Sequence, residues 1–339
     1  MKFWRKLLWP LVPFYYLGSL YVKRMYDWGI FKSTTYDFPL ITVGNISAGG
    51  TGKSPFVGYL VTLLQKQKKV ATLSRGYGRK TSGFHIVQTT DEAINVGDEP
   101  LQLKQNFPDV VVAVDADRRN GIKELSSIKV KPEVIILDDA FQHRKVKGGF
   151  QIVLTAYYNL YVNDYSLPAG DLREPISAAE RADVIIVTKC PTDLSVEAQQ
   201  KITEQLKPLS YQQVFFTAIA YDSFVHGNAK KIKLSEFIKQ KFCLVTGIAA
   251  PKPLVDFLNT KQADFTHNNY PDHHVFSNNE INEIAKNDII LTTQKDYMRL
   301  QNEKTLMDKL FYLPISVQFL NDEAAFKEQL FDFTRSNNY

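Results

Sequence analysis

The residues best equipped for chemistry fall in one short stretch, residues 41–54, which read I-T-V-G-N-I-S-A-G-G-T-G-K-S. Glycines allow successive backbone N–H groups to turn toward one point and bind anionic oxygens. A helix starting at the Lys-Ser pair adds partial positive charge there. Lys53 has the reach and charge for β- and γ-phosphates, and the Ser54 hydroxyl suits Mg²⁺. The expected phosphate cradle is therefore Ser47, Ala48, Gly49, Gly50, Thr51 and Gly52, closed by Lys53 and Ser54. The motif usually opens with glycine where this chain has Ser47, so a Gly-rich turn without nucleotide is the competing reading.

Four other groups carry chemical potential. Residues 134–139, V-I-I-L-D-D, are an apolar strand ending in two carboxylates. Beside a phosphate loop, such an Asp holds the Mg²⁺ shared with the loop hydroxyl, which makes Asp138 and Asp139 metal candidates with Ser54. Residues 167–174, L-P-A-G-D-L-R-E, present Arg173 on a loop; its guanidinium suits a transferring phosphoryl group, or a surface ion pair. Residues 271–274 place His273 and His274 in one turn with no cysteine or further histidine at ligand spacing, so a catalytic or phosphate-contacting His is favoured over a metal ligand. In V-G-D-E-P, residues 96–100, Asp98 reads either as the N-cap of a helix or as a general base for a hydroxyl.

These residues need a frame. Residues 39–43, 70–73, 110–114, 133–137, 151–155 and 184–188 are near-continuous apolar runs, as strands buried on both faces require, and 84–87 is a shorter one. Helical patterns over 56–67, 99–105 and 195–207 alternate with them. The alternation predicts a P-loop NTPase-like α/β fold, a mainly parallel sheet flanked by helices. After a polar break at 221–233, runs at 242–246, 289–293 and 311–314 and a closing helix over 323–334 predict a smaller C-terminal α/β lobe. The expected division is 1–33, 34–222 and 223–339.

Hydrophobic content of 44% and charged content of 23% are ordinary for a chain that buries a core. Cys190 and Cys243 end apolar runs and suggest a reducing compartment. The net charge of +5 sits entirely within residues 1–33, together with all three tryptophans, Trp4, Trp9 and Trp28. A nucleic-acid binder would spread its basic charge over the folded body. The apolar run over 7–22 contains Pro10 and Pro13 and falls short of the ~20 residues a spanning helix needs. No small-residue cleavage site follows it. Basic residues mixed with Trp and Tyr fit the headgroup layer of an anionic bilayer, so an N-terminal membrane-associated helix is expected; the competing reading packs that helix on the core.

The ordered set V-G-N-I-S-A-G-G-T-G-K-S-P, S-R-G-Y-G-R-K, V-G-D-E-P, D-D-A-F-Q-H, L-P-A-G-D-L-R-E, T-G-I-A-A-P, P-D-H-H and T-T-Q-K-D resembles the tetraacyldisaccharide 4'-kinase (lipid A 4'-kinase) family from the N-terminal aromatic segment to about Leu300. The resemblance implies transfer of the ATP γ-phosphate, with Mg²⁺, to the 4'-hydroxyl of a tetraacylated glucosamine disaccharide 1-phosphate. It also implies attachment to the cytoplasmic face of the inner membrane of a Gram-negative bacterium. Carried onto this chain, it makes Lys53, Arg173, Asp98 and His273 catalytic, the last two as a pair activating the sugar hydroxyl. Asn45, Arg75, Arg79, Lys80, Arg119 and His143 are the expected contacts to the glycolipid. Ala140, Ser54 and Gln294 depart from the family's usual Gly, Thr and Glu. No nucleic acid and no obligate protein partner are expected. A GTPase is disfavoured because Thr188-Lys189 is followed by Pro191 where a guanine-reading Asp belongs. A nucleotide-regulated membrane adaptor leaves Asp98, Arg173 and His273 without a task.

Overall fold

Strands built from unbroken apolar runs are stable only when helices cover both faces. The computed structural model describes residues 3–228, 230–272 and 274–335. An N-terminal 3₁₀ segment (Phe3–Leu11) leads into α1 (Val12–Asp27). The chain then runs through β1 (Leu40–Gly44), α2 (Lys53–Leu64), β2 (Val70–Ser74), β3 (His85–Ile86), α3 (Ala93–Val96), α4 (Asp98–Asn106) and β4 (Val111–Val114). It continues with α5 (Arg118–Ser127), β5 (Val134–Asp138), β6 (Phe150–Ala156), β7 (Val184–Thr188), α6 (Val196–Leu206) and β8 (Gln213–Tyr221).

Strands β8-β7-β6-β1-β5-β2-β4 lie parallel in that order, and β3 pairs antiparallel beyond β4. From β1 the chain goes to β2 and β4 on one side, returns to insert β5 between β1 and β2, and then crosses to β6, β7 and β8 on the other side. The crevice beyond the carboxyl end of β1 is therefore a topological switch point, where ligands bind in such sheets. Helix α2 covers β1 with Phe56, Val57, Leu60, Val61 and Leu64, all buried and spaced along one helical face.

A second sheet holds β9 (Phe224–Gly227), β10 (Lys231–Lys233), β11 (Phe242–Thr246), β12 (Phe265–Asn269), β13 (Ile290–Thr293) and β14 (Leu310–Leu313) in the order β10-β9-β14-β13-β11-β12. Its helices are α7 (Leu234–Phe237), α8 (Lys252–Thr260), α9 (Asn278–Ile284) and α10 (Gln294–Leu300). The polar stretch read as a break is largely the β9–β10 hairpin. The C-terminal lobe is also shorter than 223–339. After β14 the chain returns, and β15 (Ile315–Phe319) pairs antiparallel with β8 on the first sheet. Helix α11 (Glu323–Arg335) packs Phe326 edge-on against Phe56 and stacks Phe333 on Phe150. Aromatic packing ties this helix to the first lobe: Phe326, fully buried, meets the rings of Phe56, Tyr59 and Phe215.

Several contacts tie the N-terminal segment to the first lobe. Arg5 donates from Nε to Pro168 O at 3.0 Å and pairs with Asp171. Trp9 meets the Tyr165 ring edge-on at 4.9 Å. Arg144 donates to Lys23 O at 2.9 Å and to Asp27 at 2.7 Å, with its guanidinium over the Tyr26 ring. Between these anchors Leu7, Leu11, Phe14, Leu17, Tyr21 and Trp28 stay exposed. No helix among the described residues is long and apolar enough to cross a membrane.

Candidate active site

The loop after β1 is shaped by two glycines in the left-handed region, Gly49 at φ 111° and Gly52 at φ 85°, and Gly52 caps the N-terminus of α2. The neighbouring loops hold it in place. Ala48 N donates to Asp171 O at 2.6 Å, and the Thr188 hydroxyl donates to Thr51 O at 2.7 Å. Lys189 Nζ donates to Gly50 O at 2.5 Å and lies 5.8 Å from the Tyr158 ring centroid. Burial, followed by the charge of Lys53, pushes the Lys189 amine below its ordinary value. Thr188-Lys189 thus braces the phosphate loop, a role with no local sequence signal.

Two sequence-predicted residues, Lys53 and Arg173, converge on buried Asn45, and Asp139 pairs with both of them. Lys53 Nζ lies 3.2 Å from Asn45 Oδ1 and 3.5 Å from Asp139 Oδ1. Arg173 Nη2 lies 3.1 Å from the same Asp139 oxygen and binds Asn45 through both its main-chain and side-chain oxygens. Burial alone would raise the Asp139 carboxyl, but Lys53 and then Arg173 hold it below the usual carboxylate range. Asp139 adopts φ 46°, a turn that swings it toward these cations and away from the axis of β5.

Asp138 is buried, and burial, then the charges of Glu99 and Asp139, raise its carboxyl. Its main-chain oxygen accepts from the buried Arg118, which also donates to Asp115 O at 2.8 Å. Ser54, Asp138 and Glu99 line one end of a cavity of about 210 Å³ between α2, α4, α10 and β15. Glu99 was not singled out by the sequence reading; its signal was only adjacency to Asp98. The fit to nucleotide and metal is visible in unsatisfied buried atoms. Ser47 Oγ, Thr51 Oγ1, Asp138 Oδ1 and Arg173 Nε have no partner among the described residues, and all lie around this one loop. Hydroxyls, a cation and a carboxylate in need of partners suit a triphosphate with Mg²⁺.

Asp98 is the first residue of α4, and Gly97 at φ 97° takes the cap position, so the cap reading fails. Its carboxylate is held by Arg299 from α10 of the second lobe, Nε at 2.8 Å. Lys295 similarly reaches Glu99 at 3.1 Å, and Gln294 bonds Gln102 at 3.0 Å, an amide contact in place of any charged role. His273 lies outside the described residues. Its neighbour His274 stacks on Tyr270 and lies 3.0 Å from Glu280, and Asp272 lies within electrostatic range of Lys189.

The expected glycolipid contacts line the carboxyl ends of β2, β4 and β5. Arg75 and Arg119 are exposed, and Arg75 is close enough to Arg118 for their charges to repel. His143 is half-buried, pushed below its ordinary value by burial and then by Arg118. Arg79 donates to Gly83 O of its own loop at 2.6 Å, and Lys80 is exposed beside it.

Sheet topology, Gly-rich loop and paired strand-end carboxylates define a P-loop phosphotransferase. The tetraacyldisaccharide-1-P 4'-kinase model matches residues 4–335. The chain is 46% identical to a tetraacyldisaccharide 4'-kinase of Flavobacterium johnsoniae, with 99% of each chain covered, and 42% identical to one of Phocaeicola vulgatus, covering 98% of this chain and 96% of the relative. It also resembles the crystal structure of the "apo" form of LpxK from Aquifex aeolicus in complex with ATP, at TM-score 0.77 and 28% identity, with 97% of this chain and 99% of that chain covered. The chain belongs to the tetraacyldisaccharide 4'-kinase family and is an ATP-using kinase of lipid A biosynthesis.

Proposed function

We propose that this kinase phosphorylates the 4'-hydroxyl of a tetraacylated glucosamine disaccharide 1-phosphate at the cytoplasmic membrane surface, with ATP held between its two lobes. The single observation that carries the assignment of roles is the convergence of Lys53 and Arg173 on both Asn45 and Asp139 beside unsatisfied Thr51, Ser47 and Asp138. Backbone N–H groups of residues 48–52 and the α2 N-terminus bind the β-phosphate. Lys53 and Arg173 sit where negative charge spreads over the transferring group, and fixed donors there stabilise the transition state without reorganisation. Ser54 with Asp138 or Asp139 would hold Mg²⁺, which would supply neutralisation of phosphate charge. Asp98, with His273, takes the acceptor proton as the oxygen bonds phosphorus and the ADP oxygen leaves. The cationic rim of Arg75, Arg79, Lys80 and Arg119, with His143, receives the acidic disaccharide, whereas Asn45, expected among these contacts, is fully buried and instead holds Lys53 and Arg173. The exposed aromatic face of α1 lies on anionic lipid, on the side where Tyr15 donates to Arg173 O at 3.1 Å.

The test is transfer of labelled γ-phosphate from ATP to the purified glycolipid acceptor, with the product's linkage mapped to the 4' position. Lys53→Ala should lower kcat by ~10²-fold or more. Near-wild-type turnover by a folded Lys53→Ala protein would refute the site.

A further inference from the structure

We infer that Arg299 and Asp296 are positioning residues for Asp98, so that the second lobe supplies the orientation of the group facing the acceptor hydroxyl. The inference rests on the reading of Asp98 as proton acceptor. Arg299 reaches across the lobe boundary with Nε 2.8 Å from Asp98 Oδ2, and its Nη2 binds the same oxygen. Its remaining terminal nitrogen, Nη1, lies 2.9 Å from Asp296 Oδ1 and 3.3 Å from Gly247 O. The guanidinium is thus held from behind before it grips Asp98. Asp296 is fully buried, and its other oxygen accepts from Gly247 N at 2.9 Å and from the Thr293 hydroxyl at 2.7 Å.

The 271–274 turn meets the same node. A Cβ on Gly247 would stand 3.0 Å from Asp296 Oδ1, 3.4 Å from Pro271 O and 3.5 Å from His274 Cβ. One buried carboxylate therefore ties together the loop after β11, the start of α10, and Arg299. Burying a carboxylate–guanidinium–carboxylate row costs desolvation that apolar packing would avoid. Adhesion between the lobes is also supplied elsewhere, by Lys295 on Glu99 and by Gln294 on Gln102 and Asn106. The row does what neither of those contacts does, fixing the rotamer of Asp98. A base oriented by a second group that is itself anchored is the general logic of catalytic triads.

The experiment uses the full chain with ATP and the disaccharide 1-phosphate acceptor, measuring kcat, both KM values and melting temperature. Arg299→Ala should lower kcat about 10²-fold, within the range a mispositioned base forfeits, and leave KM for ATP within about threefold. Added guanidinium at sub-denaturing concentration should restore about tenfold of that loss. Arg299→Lys, which keeps the charge but not the fork, should fall between the two. The double variant Asp98→Asn/Arg299→Ala should be no slower than Asp98→Asn alone. Gln294→Ala, which removes interlobe bonds remote from Asp98, should stay within about threefold of wild type. Additive losses in the double variant, or a kcat loss that guanidinium does not relieve and that follows a falling melting temperature, would overturn the inference. Asp98→Asn at near-full kcat would remove the reading of Asp98 and the inference with it. A crippled Asp98→Asn beside a normal Arg299→Ala would remove the inference alone.

Discussion

Replacing Arg173 by alanine separates catalysis from stability, because the structure assigns very different magnitudes to the two. The substitution removes a guanidinium 3.1 Å from Asp139 and 3.3 Å from Asn45 O. The Arg173 and Asp139 side chains are 29% and 38% exposed, so solvent screens the pair and its loss costs the fold about 1 kcal/mol or less. The lost bonds to Asn45 add about 1 kcal/mol. Asp139 keeps Lys53 at 3.5 Å, so no carboxylate is stranded. A total near 2 kcal/mol lowers Tm by about 4–8 °C for a chain with lobes of this size. In the transition state, one fixed donor facing developing charge contributes about 2.7–4 kcal/mol, or 10²–10³ in kcat. Arg173→Ala should therefore remain folded, with kcat down at least ~10²-fold and KM for ATP changed far less. Steady-state kinetics and a thermal melt on the same preparation are sufficient. A kcat within about threefold of wild type would refute the placement of Arg173 at the phosphoryl group. A loss confined to KM would assign it to ground-state binding instead.

Two further outcomes follow from the N-terminal segment. Phe14→Ser, Leu17→Ser and Tyr21→Ser together, all exposed in the structure, should abolish binding to anionic vesicles while ATP binding persists; unchanged flotation would move the membrane contact elsewhere. Burial would raise the Asp27 carboxyl, but bonds from Lys23 and Arg144 hold it below its ordinary value. That contribution to α1 docking is present above the normal carboxylate range and lost as pH falls through the depressed value, so hydrogen exchange in residues 12–27 should rise in acid. An Asp27→Asn protein with the same acid dependence would refute this.

Local geometry was legible and long-range pairing was not. The strands β1, β2, β4, β5, β6 and β7 were readable because a parallel strand is apolar on both faces and needs no partner to be recognised. Strand β15 alternates as Ile315-Ser316-Val317-Gln318-Phe319, half-exposed at a sheet edge, and its return to β8 is fixed by the aromatic cluster of Phe56, Phe215, Phe319 and Phe326. Nothing in residues 310–320 alone states that preference, so the return of β15 to the first sheet is not legible there.

The site divides along the same line. The phosphate loop, Asp138-Asp139 and their hydroxyl partner are legible because a strand, a turn and a helix place them within one local unit. Asp98 and Glu99 were less so, although they are adjacent. Successive residues on a helix point about 100° apart, since 3.6 residues make a turn. Asp98 consequently meets Arg299, while Glu99 turns toward Ser54, Asp138 and Lys295. From sequence the pair reads as one acidic helix start; in the fold it faces two ways. Arg299 lies 201 residues away, and its effect on Asp98 exists only once α10 is docked on α4. The acceptor side of the active site is therefore a property of the lobe interface. Substitutions of Arg299 or Asp296, which act on Asp98 rather than on nucleotide, should alter turnover through that interface.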